Sequence, residues 1–201
     1  MALAGTTQLE AVNTMLSMIG EAPVNSLTGT LPLDATIANN TLTEISREVQ
    51  SAGWHFNTEH KVTLSRDNNN KIPLATNIMR VDLDPSRYSR GTLDVVKRGN
   101  FLYEKIEHKF TFDEALDATV IYYLEFDELP ENVKRYITIR AGRIFADRVV
   151  GEQQLHGFTQ QEELNALAVL KQEEADTANH NIFDSLDTGY IVARETVVRK
   201  G

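Results

Sequence analysis

Apolar and polar positions at the start of the chain alternate in the rhythm of two helices and the turns that stop them. Leu9, Val12, Leu16 and Ile19 recur at three- and four-residue intervals, one apolar face of a helix. Thr7 and Glu10 stand ahead of that stripe at the spacing of a capping box, each side chain answering a free amide at the helix start. Gly20 suits the left-handed residue that closes a helix, and Pro23 forbids continuation. After a polar loop over 25–33, Asp34 is placed to cap a second helix. Its stripe is Ala38, Leu42, Ile45, Val49 and Ala52, and its stop is Gly53. Two helices joined by a loop of this length are expected to pair antiparallel.

Beyond Gly53 the period shortens to two. Trp54, Phe56, Val62 and Leu64 share parity, as on one face of a strand. Asp67 to Lys71 reads as a hairpin tip, and 78–83 as a strand stopped by Asp84-Pro85. Segments 93–98 and 101–106 flank a Gly99-Asn100 turn, where glycine supplies the positive φ. That register sets Val96 opposite Tyr103 and Asp94 opposite Lys105. Residues 119–126 are apolar on both faces, as in a central strand. The middle third is therefore a small, mostly antiparallel sheet.

Helical spacing returns after Pro130, with Val133, Ile137, Ala141 and Ile144 on one stripe ending near Gly151. Ile139, Phe145 and Val150 lie outside it, so this helix is apolar on more than one face. Two burials satisfy that pattern: twice within one domain, or once in its own core and once against a neighbouring subunit. Arg140 and Asp147 project close to the apolar side, and Arg143 to Asp147 is an i, i+4 pair. With Lys134, Arg135 and Arg148 they suit ion pairs within the helix or between subunits better than a continuous nucleic-acid groove. A last helix opens on Thr159 and Glu162, with Leu164, Leu167, Ala168, Ala175 and Ala178 on one side. Past Asn179 the period dissolves. Tyr190, Ile191, Val192, Val197 and Val198 suit either an arm that orders on a partner or a last strand of the chain's own sheet. The expected fold class is α+β: a four-helix bundle-like domain (1–53 and 128–180), an inserted small antiparallel β domain (54–127) and an extended C-terminal tail (181–201).

Composition narrows the chemistry. At 41% hydrophobic over 201 residues the chain can bury a core. It contains no long apolar run, so no membrane partner is expected, and its start lacks the basic-then-apolar pattern of a secretory signal. With no cysteine, disulfides, thiolate catalysis and cysteine-ligated metals are excluded, and maturation in a cytosol is expected unless redox state is immaterial. The net charge of −9 is spread without any basic patch, which argues against a phosphate-neutralising grip on DNA. His55, His60, His108, His156 and His180 match no metal-ligand spacing, and no nucleophile elbow or phosphate loop occurs. Neither metal nor cofactor is expected. The acidic pairs Asp113 and Glu114, Glu125 and Asp127, Glu162 and Glu163, and Glu173 and Glu174 leave one enzymatic alternative. A hydrolase of cell-surface polysaccharide or peptidoglycan would need two carboxylates about 5–10 Å apart across a cleft. Solvated helix faces explain the same residues.

Taken as a set, Leu9-Glu-Ala-Val-Asn13, Ile19-Gly-Glu-Ala-Pro-Val24 and Ser51-Ala-Gly-Trp-His-Phe56 resemble the opening of tail tubular protein A from short-tailed bacteriophages. The similarity continues more loosely through Glu128-Leu-Pro-Glu131, the helix from Arg140 to Gly151 and Gln160-Gln-Glu-Glu163. It is poorest between Asp67 and Leu116 and only suggestive in the tail. The resemblance implies a non-enzymatic head-to-tail adaptor, or gatekeeper, of the virion, made in the host cytoplasm. Twelve copies would form a ring under the portal protein, with the nozzle of tail tubular protein B below and tail fibres near that junction. DNA would pass through the ring without specific binding. The tail would embrace the portal through Tyr190, Ile191, Val192 and Arg194, and Arg140, Arg143 and Asp147 would sit between subunits.

Overall fold

The computed structural model describes residues 5–84, 87–88, 92–149, 151 and 153–177, with side chains in the last stretch from Gln160 onward. Helix α1 (Gln8–Met18) starts at the foreseen capping box: Glu10 N–H donates to Thr7 Oγ1 at 3.2 Å and Thr7 N–H to Glu10 Oε2 at 2.8 Å. It ends at Gly20, whose φ is +78°. There Glu21 N–H reaches back to the Leu16 carbonyl at 3.0 Å and Gly20 N–H to that of Ser17 at 3.2 Å, which satisfies carbonyls otherwise left open. Helix α2 (Leu33–Gln50) departs from expectation at both ends. Pro32, not Asp34, is the N-cap, and Asp34 lies in the first turn, where the helix dipole favours a carboxylate. Ala52 is exposed rather than part of the stripe, because the helix stops at Gln50 before reaching it.

The remaining elements are a 3-10 turn (His55–Asn57), β1 (Thr58–Leu64), β2 (Ile78–Leu83), β3 (Val95–Arg98), β4 (Phe101–Glu104), β5 (Leu116–Tyr122), a second 3-10 turn (Phe126–Glu128), α3 (Glu131–Val149) and α4 (Gln153–Thr177). The fold is α+β, with four helices and two small antiparallel sheets. One sheet has the order β1-β5-β2; the other is the β3-β4 hairpin, with Val96 opposite Tyr103 as its turn dictates. Lys105 pairs with Asp94 just beyond it. Strand β5 is central as foreseen but ends at Tyr122. Phe126 instead enters the second 3-10 turn and packs in the helical core.

Trp54, Phe56, Val62 and Leu64 do not share a strand face. Trp54 and Phe56 belong to the 3-10 turn and pack on the helices, whereas Val62 and Leu64 pack within the sheet. A bulge between Glu59 and Val62, with Lys61 at φ +57°, adds a second break in the alternation. The pattern thus spans the boundary between two cores. The helical core takes Val12, Met15 and Leu16 from α1, Leu42 and Ile45 from α2, Ile137 and Phe145 from α3, and, among the described side chains of α4, Ala166 and Leu170. The sheet core centres on Ile72, Leu102, Ala118 and Val120.

Two buried amides join these cores. Gln50 Nε2 donates to the Leu124 carbonyl (2.9 Å) and to Ser46 Oγ (3.0 Å), while its Oε1 accepts from Leu124 N–H (2.8 Å). Asn57 Nδ2 donates to the carbonyls of Gln50 (2.9 Å) and Tyr122 (2.7 Å), and its Oδ1 accepts from Trp54 N–H (2.9 Å). Each amide pins the end of α2 to the strand leaving the sheet. Replacing Gln50 or Asn57 by Ala strands buried backbone groups and is expected to cost about 1–3 kcal/mol in denaturant unfolding. Gln8→Ala, a partly buried amide on the bundle's edge, serves as the milder comparison.

Candidate assembly surface

Helix α3 touches α1, α2 and α4, so Ile139 and Phe145, outside the main stripe, find partners within the chain, whereas Val150 lies outside the described residues. Four of its cations do the same. Arg140 donates from Nη1 to Tyr136 Oη (3.0 Å) and Glu163 Oε1 (3.2 Å), and from Nη2 to Glu48 Oε1 (2.6 Å). Arg143 holds the other oxygen of Glu163 through Nε (2.5 Å) and reaches Asp147 at 3.5 Å. Arg148 forks onto both oxygens of Glu44, at 2.9 and 3.1 Å. Lys134, almost fully buried, has Glu131 at 3.3 Å. The structure therefore brings the expected intersubunit set, Arg140, Arg143 and Asp147, into one cluster, with a third kind of partner: carboxylates on neighbouring helices of the same chain. Burial works against the charge on Arg140, and Tyr136, Glu48 and Glu163 outweigh it, so the guanidinium is held above its usual range. Its Nε is buried without a partner among the described residues.

Glu163 was legible only as a surface acid. On α4 the inward residues are Glu163, Ala166, Leu167, Leu170 and Glu174, not the expected Leu164, Ala168 and Ala175, which are exposed. Ala178 lies outside the described residues. The inward set still has helical spacing, and it becomes visible once an acid is allowed at each end of an apolar stripe. The helix also begins at Gln153, ahead of the capping box placed at Thr159. Leu164 and Val169 are left 55% and 53% exposed.

Between α1, α3 and α4 runs an open groove of about 790 Å³. Thr6 and Thr14 form one side, Glu131, Arg135 and Ile139 the base, and Glu162, Ala166 and Val169 the other side. Glu131 is fixed by Thr6, whose N–H and Oγ1 donate to it at 2.9 and 2.8 Å. These hydroxyl and amide bonds, with Lys134, hold its carboxyl below the usual glutamate range.

The other candidate groups are dispersed. Glu174 accepts His55 N–H at 2.6 Å, Asn132 donates to Glu173, and Asp127 accepts Gln8 N–H at 2.7 Å. His60 meets Thr119 Oγ1 at 3.1 Å and His108 meets Tyr103 Oη at 3.5 Å. Among the described residues no three His, Cys, Asp or Glu side chains gather as a metal site, and no helix is long and apolar enough to cross a membrane. Tyr190, Ile191, Val192 and Arg194, with His180, lie outside the described residues.

Residues 9–180 match the family model described as "Tube: Tail tubular protein". The chain belongs to the tail tubular protein family. It is 25% identical over 167 residues to a protein named tail tubular protein A from Klebsiella phage KP34, covering 82% of this chain and 86% of that one. Residues 9–180 include both cores and every groove residue but Thr6. Family membership identifies a structural viral tail protein and a component of the virion.

Two outcomes test the electrostatic reading of the groove. Glu163→Ala leaves two part-buried guanidinium groups short of a carboxylate, so it is expected to cost about 1–3 kcal/mol and to raise hydrogen exchange in α4 first. Because the Glu131 carboxyl titrates lower folded than unfolded, the Thr6 tether contributes above about pH 4.3 and is lost as pH falls through the folded midpoint. A side-chain NMR titration should place that midpoint below the usual glutamate value, and Thr6→Val should bring it back up.

Proposed function

We propose that this tail tubular protein is a head-to-tail adaptor: a ring, twelvefold as in the family it resembles, that joins the portal protein to the nozzle built by tail tubular protein B. The match over residues 9–180 carries this reading. In it the helices form the ring wall at the head-tail junction, the sheets face the nozzle, and tail fibres dock near that boundary. The role is mechanical, not enzymatic. Four of the eight acids that suggested a hydrolase support this, since Glu163, Glu173, Glu174 and Asp127 are engaged in helix and backbone contacts. A net charge of −9 per subunit supports passage of DNA without specific binding, because like charge keeps the duplex off the wall.

Two features support assembly through the helical surface. Leu33, at the start of α2, is 73% exposed, and Leu164 and Val169 offer further apolar area on α4. Asp147 and Glu48 also present the outer edge of the Arg140 and Arg143 cluster to solvent. In the proposed ring that edge, with Arg140, Arg143 and Asp147, meets a neighbouring subunit, while Tyr190, Ile191, Val192 and Arg194 hold the portal.

Native mass spectrometry of the protein with its phage's portal tests the reading directly. A ring on the portal is expected from the full chain, and deletion of 182–201 should leave a folded protein that no longer joins it. Undiminished joining by the deletion variant would remove the tail from the portal contact. Asp147→Arg should shrink the assembly seen by light scattering, and an unchanged size would take Asp147 out of the subunit interface.

A further inference from the structure

Two opposite charges in the groove are used by nothing in the bundle. Arg135 on α3 and Glu162 on α4 both line it, and neither has an ion-pair or hydrogen-bond partner among the described residues. Nearby Lys134, Arg140, Arg143, Glu131 and Glu163 are all paired. The lining between the two free charges includes Ile139, Ala166 and Val169. The groove thus offers apolar side chains from both helices and, among the described residues, one unanswered charge on each.

We propose that the groove is the docking site of the chain's own segment 190–195, Tyr190-Ile-Val-Ala-Arg194-Glu195, in the unassembled protein. The sequence of that segment is the complement of the groove. Tyr190, Ile191 and Val192 supply apolar cover for Ile139, Ala166 and Val169. Arg194 and Glu195 follow as adjacent opposite charges, and successive residues of an extended segment point to opposite sides. Arg194 therefore addresses Glu162 while Glu195 addresses Arg135. Segment 190–201 carries three bases and one acid on a chain of net charge −9, so the field of the bundle also draws it in.

Chain length permits the return. The end of α4 lies beside the start of α3: Asn132 donates to Glu173, and His55 N–H donates to Glu174. Asn132 itself lines the groove, so the chain leaves α4 next to it. The α3 stretch from Glu131 to Ile139 is about 12 Å long. The residues between Thr177 and Tyr190 can span about 40 Å when extended, several times what a turn back requires.

The docking itself does not depend on the adaptor reading; one consequence does. A portal that draws the segment away would free the groove for a neighbouring subunit, so that ring closure follows portal contact.

Because the chain has no native cysteine, disulfide trapping is clean. Val169→Cys with Val192→Cys in the full chain is expected to form an intrachain bridge under mild oxidation, seen as a monomer by mass spectrometry. Leu33→Cys with Val192→Cys, its partner on an exposed site at the start of α2, is expected not to bridge within the chain. Adding Glu162→Arg to the first pair should slow bridging by about two- to fivefold, and Arg194→Glu on top of it should restore the rate. Equal yields from both pairs, bridges only between chains, no bridge at all, or a rate indifferent to Glu162→Arg would each overturn the proposal. Thermal melting confirms that each variant is folded. Portal binding by the parent chain, measured separately, reports on the adaptor reading alone.

Discussion

The two buried amides at the end of α2 are what the rest of the structure hangs on. Gln50 and Asn57 together hold the carbonyl end of a helix, the turn that follows, and the strand that returns from the sheet. Buried amides of this kind are costly unless every group is answered, and here the geometry is answered from both cores at once. They fix where helical packing ends and strand pairing begins. Gly53 complements them: at φ +78° a side chain would be strained, and a Cβ there would come within 2.5 Å of Ile121. The connection is tight because the helical and sheet cores must meet without a gap.

Helix α3 depends on that junction for its surroundings. It packs on α1, α2 and α4, and Arg140, Arg143 and Arg148 are spent on carboxylates from α2 and α4. Against the stretch of α4 from Gln160 onward, the described apolar burial is Ala166 and Leu170 fully and Leu167 in part. A single acid, Glu163, holds two guanidinium groups there. Over its described side chains α4 thus meets the bundle through this charged cluster and a short apolar stripe. On the α4 side an open groove and the exposed side chains of Leu164 and Val169 remain, in a chain that belongs to a family of structural viral tail proteins.

Much of this was legible in the residues. The Thr7 and Glu10 capping box, the Gly20 stop and the β3-β4 register follow from local rules whose partners lie within a few positions, and the central place of β5 follows from apolar residues on both its faces. What failed has a common cause. Trp54 and Phe56 were assigned to a strand because parity cannot see a 3-10 turn, and Ala52 was assigned to a helix because period cannot see where hydrogen bonding stops. The inward face of α4 was misplaced because its most important residue is an acid, and hydrophobic patterning discards acids.

The sequence by itself determined the order of the main helices and strands, the cap and stop of α1, the β3-β4 turn, the absence of cysteine chemistry and the acidic balance. Each of these depends on residue type or on neighbours a few positions away. Tertiary structure alone decided which core Trp54 and Val62 belong to, that Arg140 and Arg143 converge on Glu163, and that Arg135 and Glu162 find no partner among the described residues. Those outcomes depend on groups far apart in sequence, such as Gln50 with Leu124 and Arg140 with Glu48. Charge and amide pairing at that separation has no period to read, and only packing brings the partners within bonding distance.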